Sequence, residues 1–162
     1  MLFRSRGGID VLYRGESADV LLISIGAMAP LCFEAAQQSY LEGVGVTVVD
    51  PRWVKPLPRE LATMANRYKS VVVVEDGIKH GGIASTLSEI FREEGISVPI
   101  HSIGIPLTYL EHSKRNEILE DLGITAKQIS RELVAWNSGQ LFTSNGSEEE
   151  WQNQSKIENP DK

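Results

Sequence analysis

The chain has 162 residues, 41% of them hydrophobic, and a formal net charge of -6. That length predicts one domain. The acidic balance, without any basic block, argues against nucleic acid and anionic membrane surfaces as partners, and no run approaches the roughly 20 apolar residues of a membrane span.

Met1-Leu2-Phe3-Arg4-Ser5-Arg6 is too short and too charged for a signal peptide. Residues 1–8 therefore read as a lead-in linker. Ile9 to Tyr13 alternates and predicts an edge strand. Gly15-Glu16-Ser17 is a turn, and Val20 to Ile25 is a continuous apolar run, the mark of a central strand. The short connection between these two runs predicts a hairpin.

Gly26 ends the second strand, and a helix is expected from about Met28 to Leu41. Pro30 is tolerated only in its first turn. Met28, Leu31, Cys32, Ala35 and Ala36 share one face, and Gly43 supplies the stop. Val46 to Val49, β-branched and uncharged, predicts a strand buried on both faces that halts at Pro51. Strand, helix and strand make a right-handed crossover. The chain then passes over the carboxyl edge of the sheet with Arg52, Trp53 and Lys55 set between Pro51 and Pro56. Open α/β sheets carry their functional groups on that edge.

Pro58 pre-sets a second helix through Leu61, Met64 and Ala65. Ser70 to Val74 is a third buried strand ending at Glu75-Asp76, and Gly77 to Gly82 reads as a loop. Ile83, Leu87, Ile90 and Phe91 recur at helical spacing. Val98 to Ile103 is a shorter strand, placed on an edge by Pro99. Ser113 is positioned to cap a short helix carrying Ile118, Leu119 and Leu122. Thr125 and Gln128 form a capping box, flanked by the Ile124 and Ile129 staple, and open a last helix presenting Leu133 and Trp136. The pattern implies a three-layer α/β/α sandwich over residues 9–136. Residues 137–162 read as a disordered acidic and polar tail, with Glu148-Glu149-Glu150 and an incidental Trp151.

A catalytic set does not emerge. Gly26-Ala27-Met28-Ala29-Pro30 stands where a phosphate loop would, but it lacks G-x-G-x-x-G and the P-loop Lys-Ser/Thr, so a structural turn is favoured. His80, His101 and His112 are scattered and show no metal-ligand spacing. His101 is expected half-buried and neutral, whereas His80 and His112 are open to facing a partner. Ser24 lies inside an apolar strand, and Cys32, the single cysteine, lies on an apolar helix face. One cysteine forms no internal disulfide, which fits a reducing cytosol. Glu75-Asp76, followed by Gly77 and Gly81-Gly82, remains as a base or ligand at the carboxyl edge, or as a structural group accepting amides from the next helix or pairing with Arg52 or Lys55. The structural role is favoured. Arg52 and Lys55 together suit an anion, or ion pairs.

Three motifs, in order and spacing, resemble the transketolase C-terminal domain family. They are Asp50-Pro51-Arg52-Trp53-Val54-Lys55-Pro56, Glu75-Asp76 leading to Gly81-Gly82, and Gly104-Ile105-Pro106 with Tyr109 beyond. Within that family, Pro51, Trp53, the Val20 to Pro30 segment, Leu122-Gly123-Ile124-Thr125 and Trp136 look most like the bacterial 1-deoxy-D-xylulose-5-phosphate synthase branch. Leu107 and Tyr109 depart from its usual polar residue and Phe. Other transketolases and the β subunits of 2-oxo acid dehydrogenases are the alternative branches. The resemblance implies a mixed five-stranded sheet, order 1-3-2-4-5 with strand 1 antiparallel. That arrangement is preferred to the hairpin.

The resemblance further implies a non-catalytic domain of a transferase that condenses pyruvate with glyceraldehyde 3-phosphate for isoprenoid, thiamine and pyridoxal synthesis. Thiamine diphosphate and Mg2+ would be held by N-terminal and middle domains absent from this chain, so the chain alone is expected to bind neither and to be inactive. It implies a cytoplasmic homodimer when full length. Arg52, Trp53, Lys55, Glu75 and His80 are the expected interface residues. A stand-alone anion- or nucleotide-binding domain and a small α/β enzyme with an unseen site are the competing functions.

Overall fold

Alternation of apolar residues decides the layers. In the computed structural model, which describes residues 4–139, the strands are β1 (Arg4–Arg6), β2 (Ile9–Tyr13), β3 (Val20–Ser24), β4 (Val46–Pro51), β5 (Ser70–Ile78) and β6 (Ile100–Ile105). The helices are α1 (Ala29–Leu41), α2 (Glu60–Ala65), α3 (Ile83–Glu93), α4 (Arg115–Asp121) and α5 (Ala126–Asn137). One sheet runs β1-β2-β4-β3-β5-β6. Strands β4, β3, β5 and β6 are parallel, and β2 is antiparallel to β4.

Because successive strand residues face opposite ways, the central strands feed two cores. Val20, Leu22, Val46, Val48, Val72 and Val74 join α1, α4 and α5 through Met28, Cys32, Leu119, Ile129 and Leu133. Leu21, Ile23, Val49, Val71 and Val73 join α2 and α3 through Leu61, Ala65, Leu87 and Phe91. Across the first core, α1 and α5 meet at small side chains. The buried Ser39 hydroxyl donates to the Ala35 carbonyl at 2.9 Å and lies 3.0 Å from the Ser130 hydroxyl.

The five-strand order read from the family resemblance is present as β2-β4-β3-β5-β6. The hairpin read from the short connection is not. Ile9 to Tyr13 pairs with β4, in register Ile9–Pro51 to Val11–Val49. The turn after β2 instead crosses beneath β4, where Gly15 lies against the Val46 backbone. β1 adds a sixth strand, paired antiparallel to β2 through a turn at Gly7 and Gly8, both with positive φ (57° and 78°). Two consecutive left-handed residues suit a tight hairpin between twisted strands. A three-residue, largely charged strand carries no apolar period to reveal it.

Several boundaries also move. The predicted loop Gly77–Gly82 begins inside β5, which runs on to Ile78 opposite Ile105, after an irregularity in the ladder. β6 starts at Ile100 rather than Val98, because the strand pairing begins beyond Pro99. α1 follows a single 3₁₀ turn at Gly26–Met28. Ser113 is not the cap of α4. That position is Lys114, whose backbone N–H donates to Glu117 Oε2 at 3.2 Å, while the Ser113 hydroxyl bonds the same carboxylate. At α5 only half of the capping box forms. The Gln128 N–H donates to Thr125 Oγ1 at 3.3 Å, but the Gln128 side chain turns to Glu132 at 3.4 Å. Ile124 and Ile129 are both buried in one cluster, as a staple requires. The predicted tail from 140 onward, with Trp151, lies outside the described residues.

The amino edge of the sheet is locked by Asp19. One carboxylate oxygen accepts from the Gly45 N–H at 2.9 Å and from the Ser17 hydroxyl, and the other meets Lys69 Nζ at 2.6 Å. Burial works to raise the Asp19 pKa, but Lys69, Ser17 and Gly45 together hold it below the ordinary 3.8. A folded-state pKa below the unfolded one means stability present above the unfolded value and lost as pH falls through the folded one. Asp19→Asn is therefore expected to lower Tm near neutral pH and to flatten the acid limb of the Tm-against-pH curve. An acid limb identical to that of the unsubstituted chain would contradict this.

Candidate interface at the carboxyl edge

Strand order reverses between β3, which crosses through α1 to β4, and β5, which crosses through α3 to β6. Ligands of open α/β sheets bind in the crevice at such a reversal. Here the crevice is filled. The Ile25 N–H extends the ladder to the Val74 carbonyl at 2.9 Å, and Gly26, at φ +61°, turns the chain so that Met28 is fully buried beneath. Arg115, at the start of α4, closes over it. Its guanidinium donates to Asp76 Oδ2 from Nη2 at 2.7 Å and from Nε at 3.0 Å, and Nη2 lies 3.5 Å from Met28 Sδ. The Gly26 to Pro30 turn is thus plugged by an apolar side chain and bridged by an ion pair.

Glu75 is buried one residue before Asp76. Both of its carboxyl oxygens accept the Ile83 N–H, at 3.0 and 3.2 Å, so it satisfies an otherwise free amide at the start of α3. Gly82 packs directly on that carboxyl group, with Gly77 and Gly104 nearby. Close approach to Glu75 thus explains Gly82, whereas Gly81 is required by its positive φ of 76°. Of the roles open to Glu75, the structure shows the amide-accepting one.

Arg52 lies on the far side of the edge, beyond β4. It engages Asp10 of β2, from Nε at 3.1 and 3.2 Å and from Nη2 at 3.0 Å. The hydrogen bond to Asp10 raises the Arg52 pKa further. Asp50, opposite Asp10 in the ladder, is pushed up by burial and by the Asp10 charge. Trp53, Lys55 and His80 are exposed, as is His112. The expected interface residues thus separate into two groups: Arg52, Trp53 and Lys55 after β4, and Glu75 and His80 after β5. Between them stands the plugged crevice.

Sequence reasoning missed part of this edge. Trp53 (70%), Ile78 (50%), Leu107 (70%) and Tyr109 (91%) are large apolar side chains exposed to this extent, all at or beyond the carboxyl ends of parallel strands. Ile78 pairs with Ile105, and Leu107 and Tyr109 follow directly after β6. Leu41 (82%) and Tyr40 (47%), at the end of α1, are exposed as well; the four on the carboxyl edge make it a candidate contact surface. An isoleucine within a glycine-rich segment was the available signal for Ile78. Nothing in sequence could pair Arg115 with Asp76, 39 positions apart.

The other candidates are placed in the core. Ser24 is fully buried, and its hydroxyl donates to the Val49 carbonyl at 3.2 Å. Cys32 is fully buried, and burial, with the Asp50 charge, pushes its thiol up to about 12. Among the described residues no three His, Cys, Asp or Glu side chains converge to hold a metal ion. No helix among them is long and apolar enough to cross a membrane.

A single mixed sheet between two helical layers makes this an α/β/α sandwich domain. The chain belongs to the transketolase C-terminal domain family, whose model matches residues 10–129. It is 43% identical over 130 residues to 1-deoxy-D-xylulose-5-phosphate synthase of Streptomyces griseus, covering 79% of this chain and 20% of that protein. It is 44% identical over 142 residues to 1-deoxy-D-xylulose-5-phosphate synthase 2 of Kitasatospora griseola, covering 84% and 22%. The chain therefore spans about a fifth of the length of these relatives. Among solved structures it is similar to a split-gene transketolase described as an inactive β4 tetramer, with TM-score 0.70 and 30% identity over 80% of this chain and 42% of that one.

Proposed function

We propose that this chain is the C-terminal, non-catalytic domain of a 1-deoxy-D-xylulose-5-phosphate synthase, with a folded unit that reaches from β1, outside the 9–136 read from sequence, to the end of α5. In that reading the complete enzyme is a transferase that joins pyruvate to glyceraldehyde 3-phosphate for isoprenoid, thiamine and pyridoxal synthesis. It works as a cytoplasmic homodimer. The identity of more than 40% with synthases over about four-fifths of the chain carries the assignment.

Thiamine diphosphate and Mg2+ belong to the N-terminal and middle domains in this reading. The residues described here do not fit that group. At the carboxyl edge Glu75 caps α3 and Asp76 pairs with Arg115, and among the described residues no three His, Cys, Asp or Glu side chains converge on a metal site. What the chain contributes is a rigid edge for the rest of the enzyme. Trp53, Ile78, Leu107 and Tyr109 supply apolar anchors, Arg52, Lys55 and His80 the polar contacts, and Glu75 holds the loop bearing His80. Aromatic anchors with a polar surround are the usual energetic centre of such contacts.

The test is a domain exchange into the Streptomyces griseus enzyme. A chimera ending in this domain is expected to assemble and turn over pyruvate, and Trp53→Ala with Tyr109→Ala to weaken assembly at least tenfold without unfolding the domain. The isolated chain is expected to show no calorimetric binding of thiamine diphosphate with Mg2+ and no pyruvate turnover. Decarboxylation of pyruvate by the isolated chain would overturn the assignment.

A further inference from the structure

Away from the carboxyl edge, the imidazole of His101 on β6 stacks on the indole of Trp136 on α5. The ring centroids are 4.3 Å apart and the planes 6° from parallel. β6 is an edge strand, and Trp136 is the penultimate residue of α5. The stack therefore ties the last turn of the helix to the rim of the sheet. Both rings are half-buried.

Two charged side chains bear on the stack. Lys79, just past β5, acts on His101 and on Glu132. Glu132 lies one turn before Trp136 on α5 and accepts from Gln128 Nε2 at 3.4 Å. Its carboxyl is pushed above the usual range by burial, against the opposing pull of Gln128 and Lys79. Glu132 thus loses negative charge as pH falls. No new negative charge arises to balance one on His101.

We propose that the His101–Trp136 stack is a pH-sensitive latch: neutral His101 holds the last turn of α5 against β6, and protonation of His101 releases it. Burial first, and then Lys79, lower the pKa of His101 from its ordinary 6.5. A proton therefore binds the open latch more tightly than the closed one. Closure is at full strength above the ordinary imidazole pKa and is lost as pH falls through the depressed value. Cation–π attraction between imidazolium and indole acts in the opposite direction, so the sign of the titration decides between the two.

The test uses the full chain with Trp53→Phe and Trp151→Phe, which leaves Trp136 as the single indole of three. Trp136 emission and amide exchange in the last turn of α5 are followed as pH falls from about 8 to about 4.5. The expected result is one transition in both, with a midpoint below 6.5. The opening constant of that turn, obtained by dividing its exchange rate by the intrinsic amide rate at each pH, should rise by up to about tenfold per pH unit between the open and closed pKa values. Both changes should vanish in His101→Phe, which keeps the apolar stack and removes the proton. Titration of the His101 ring protons in the unsubstituted chain gives the same midpoint without any substitution. A midpoint at or above 6.5 would overturn the latch. So would an emission change without a rise in that opening constant, or a transition that persists in His101→Phe.

Discussion

Gly45→Ala is expected to destabilise the domain by about 3 kcal/mol, the upper end of the usual penalty for overfilling a packed site. A Cβ on Gly45 would lie 2.1 Å from Ser17 Oγ, 2.5 Å from the Ser17 carbonyl oxygen and 2.8 Å from the Ser17 nitrogen. Two of those atoms are backbone, so no rotamer change relieves the clash. Gly45 itself has no freedom to retreat. Its N–H donates to Asp19 at 2.9 Å, and its carbonyl accepts the Val20 N–H at 3.1 Å. Movement would break the Asp19 junction and the first rung beside β3. Ser17→Ala should therefore fail to rescue Gly45→Ala. Chemical denaturation of both variants checks this, and a loss below about 0.5 kcal/mol, the scale of an ordinary surface substitution, would contradict it.

The second large effect is at the start of α3. Glu75→Ala should cost about 2–3 kcal/mol, because it removes the acceptor of the Ile83 N–H and leaves a part-buried amide unpaired. Gly82→Ala should cost a similar amount for a different reason. Its Cβ would stand 2.3 Å from Glu75 Oε1 and 2.7 Å from Cδ. Both contacts are to one side chain. Removing that side chain removes the clash, so the double variant should be little worse than Glu75→Ala alone. The coupling energy of the cycle should then be about 2 kcal/mol, within the range for residues in direct contact. Additive losses would show that Gly82 is constrained by something other than Glu75. The contrast with Gly45 is the useful part: a glycine against backbone resists rescue, and a glycine against a side chain does not.

The predicted interface residues were partly legible. Arg52, Trp53 and Lys55 stand between two prolines after a buried strand, and their place on the carboxyl edge follows from that alone. Glu75 was legible as a residue of the edge, but its work as an acceptor for α3 depends on the path of the Gly77–Gly82 segment. Ile78 was hidden because glycine on one side and Lys79 on the other made that segment read as loop. It became strand because β6 continues far enough to pair with it. Arg115 was illegible for a different reason. Its partners, Asp76 and Met28, come from separate crossovers.

Local sequence was sufficient for what depends on neighbours along the chain. The β-branched runs Val46–Val49 and Val71–Val74, the glycine stops and the 3.6-residue spacing of α3 and α5 each specify their own element, because side-chain period and backbone conformation are set within a few residues. Strand order is not set within a few residues. Ile9 to Tyr13 is only a short turn from β3, yet it pairs with β4, because Gly15 and Gly45 let the connection pass under the sheet's amino edge. The plug of Met28 and Arg115 over the crevice, and the gathering of Trp53, Ile78, Leu107 and Tyr109 on one edge, exist only once the parallel strands align. Those contacts join residues far apart in the chain, and tertiary packing alone brings them together.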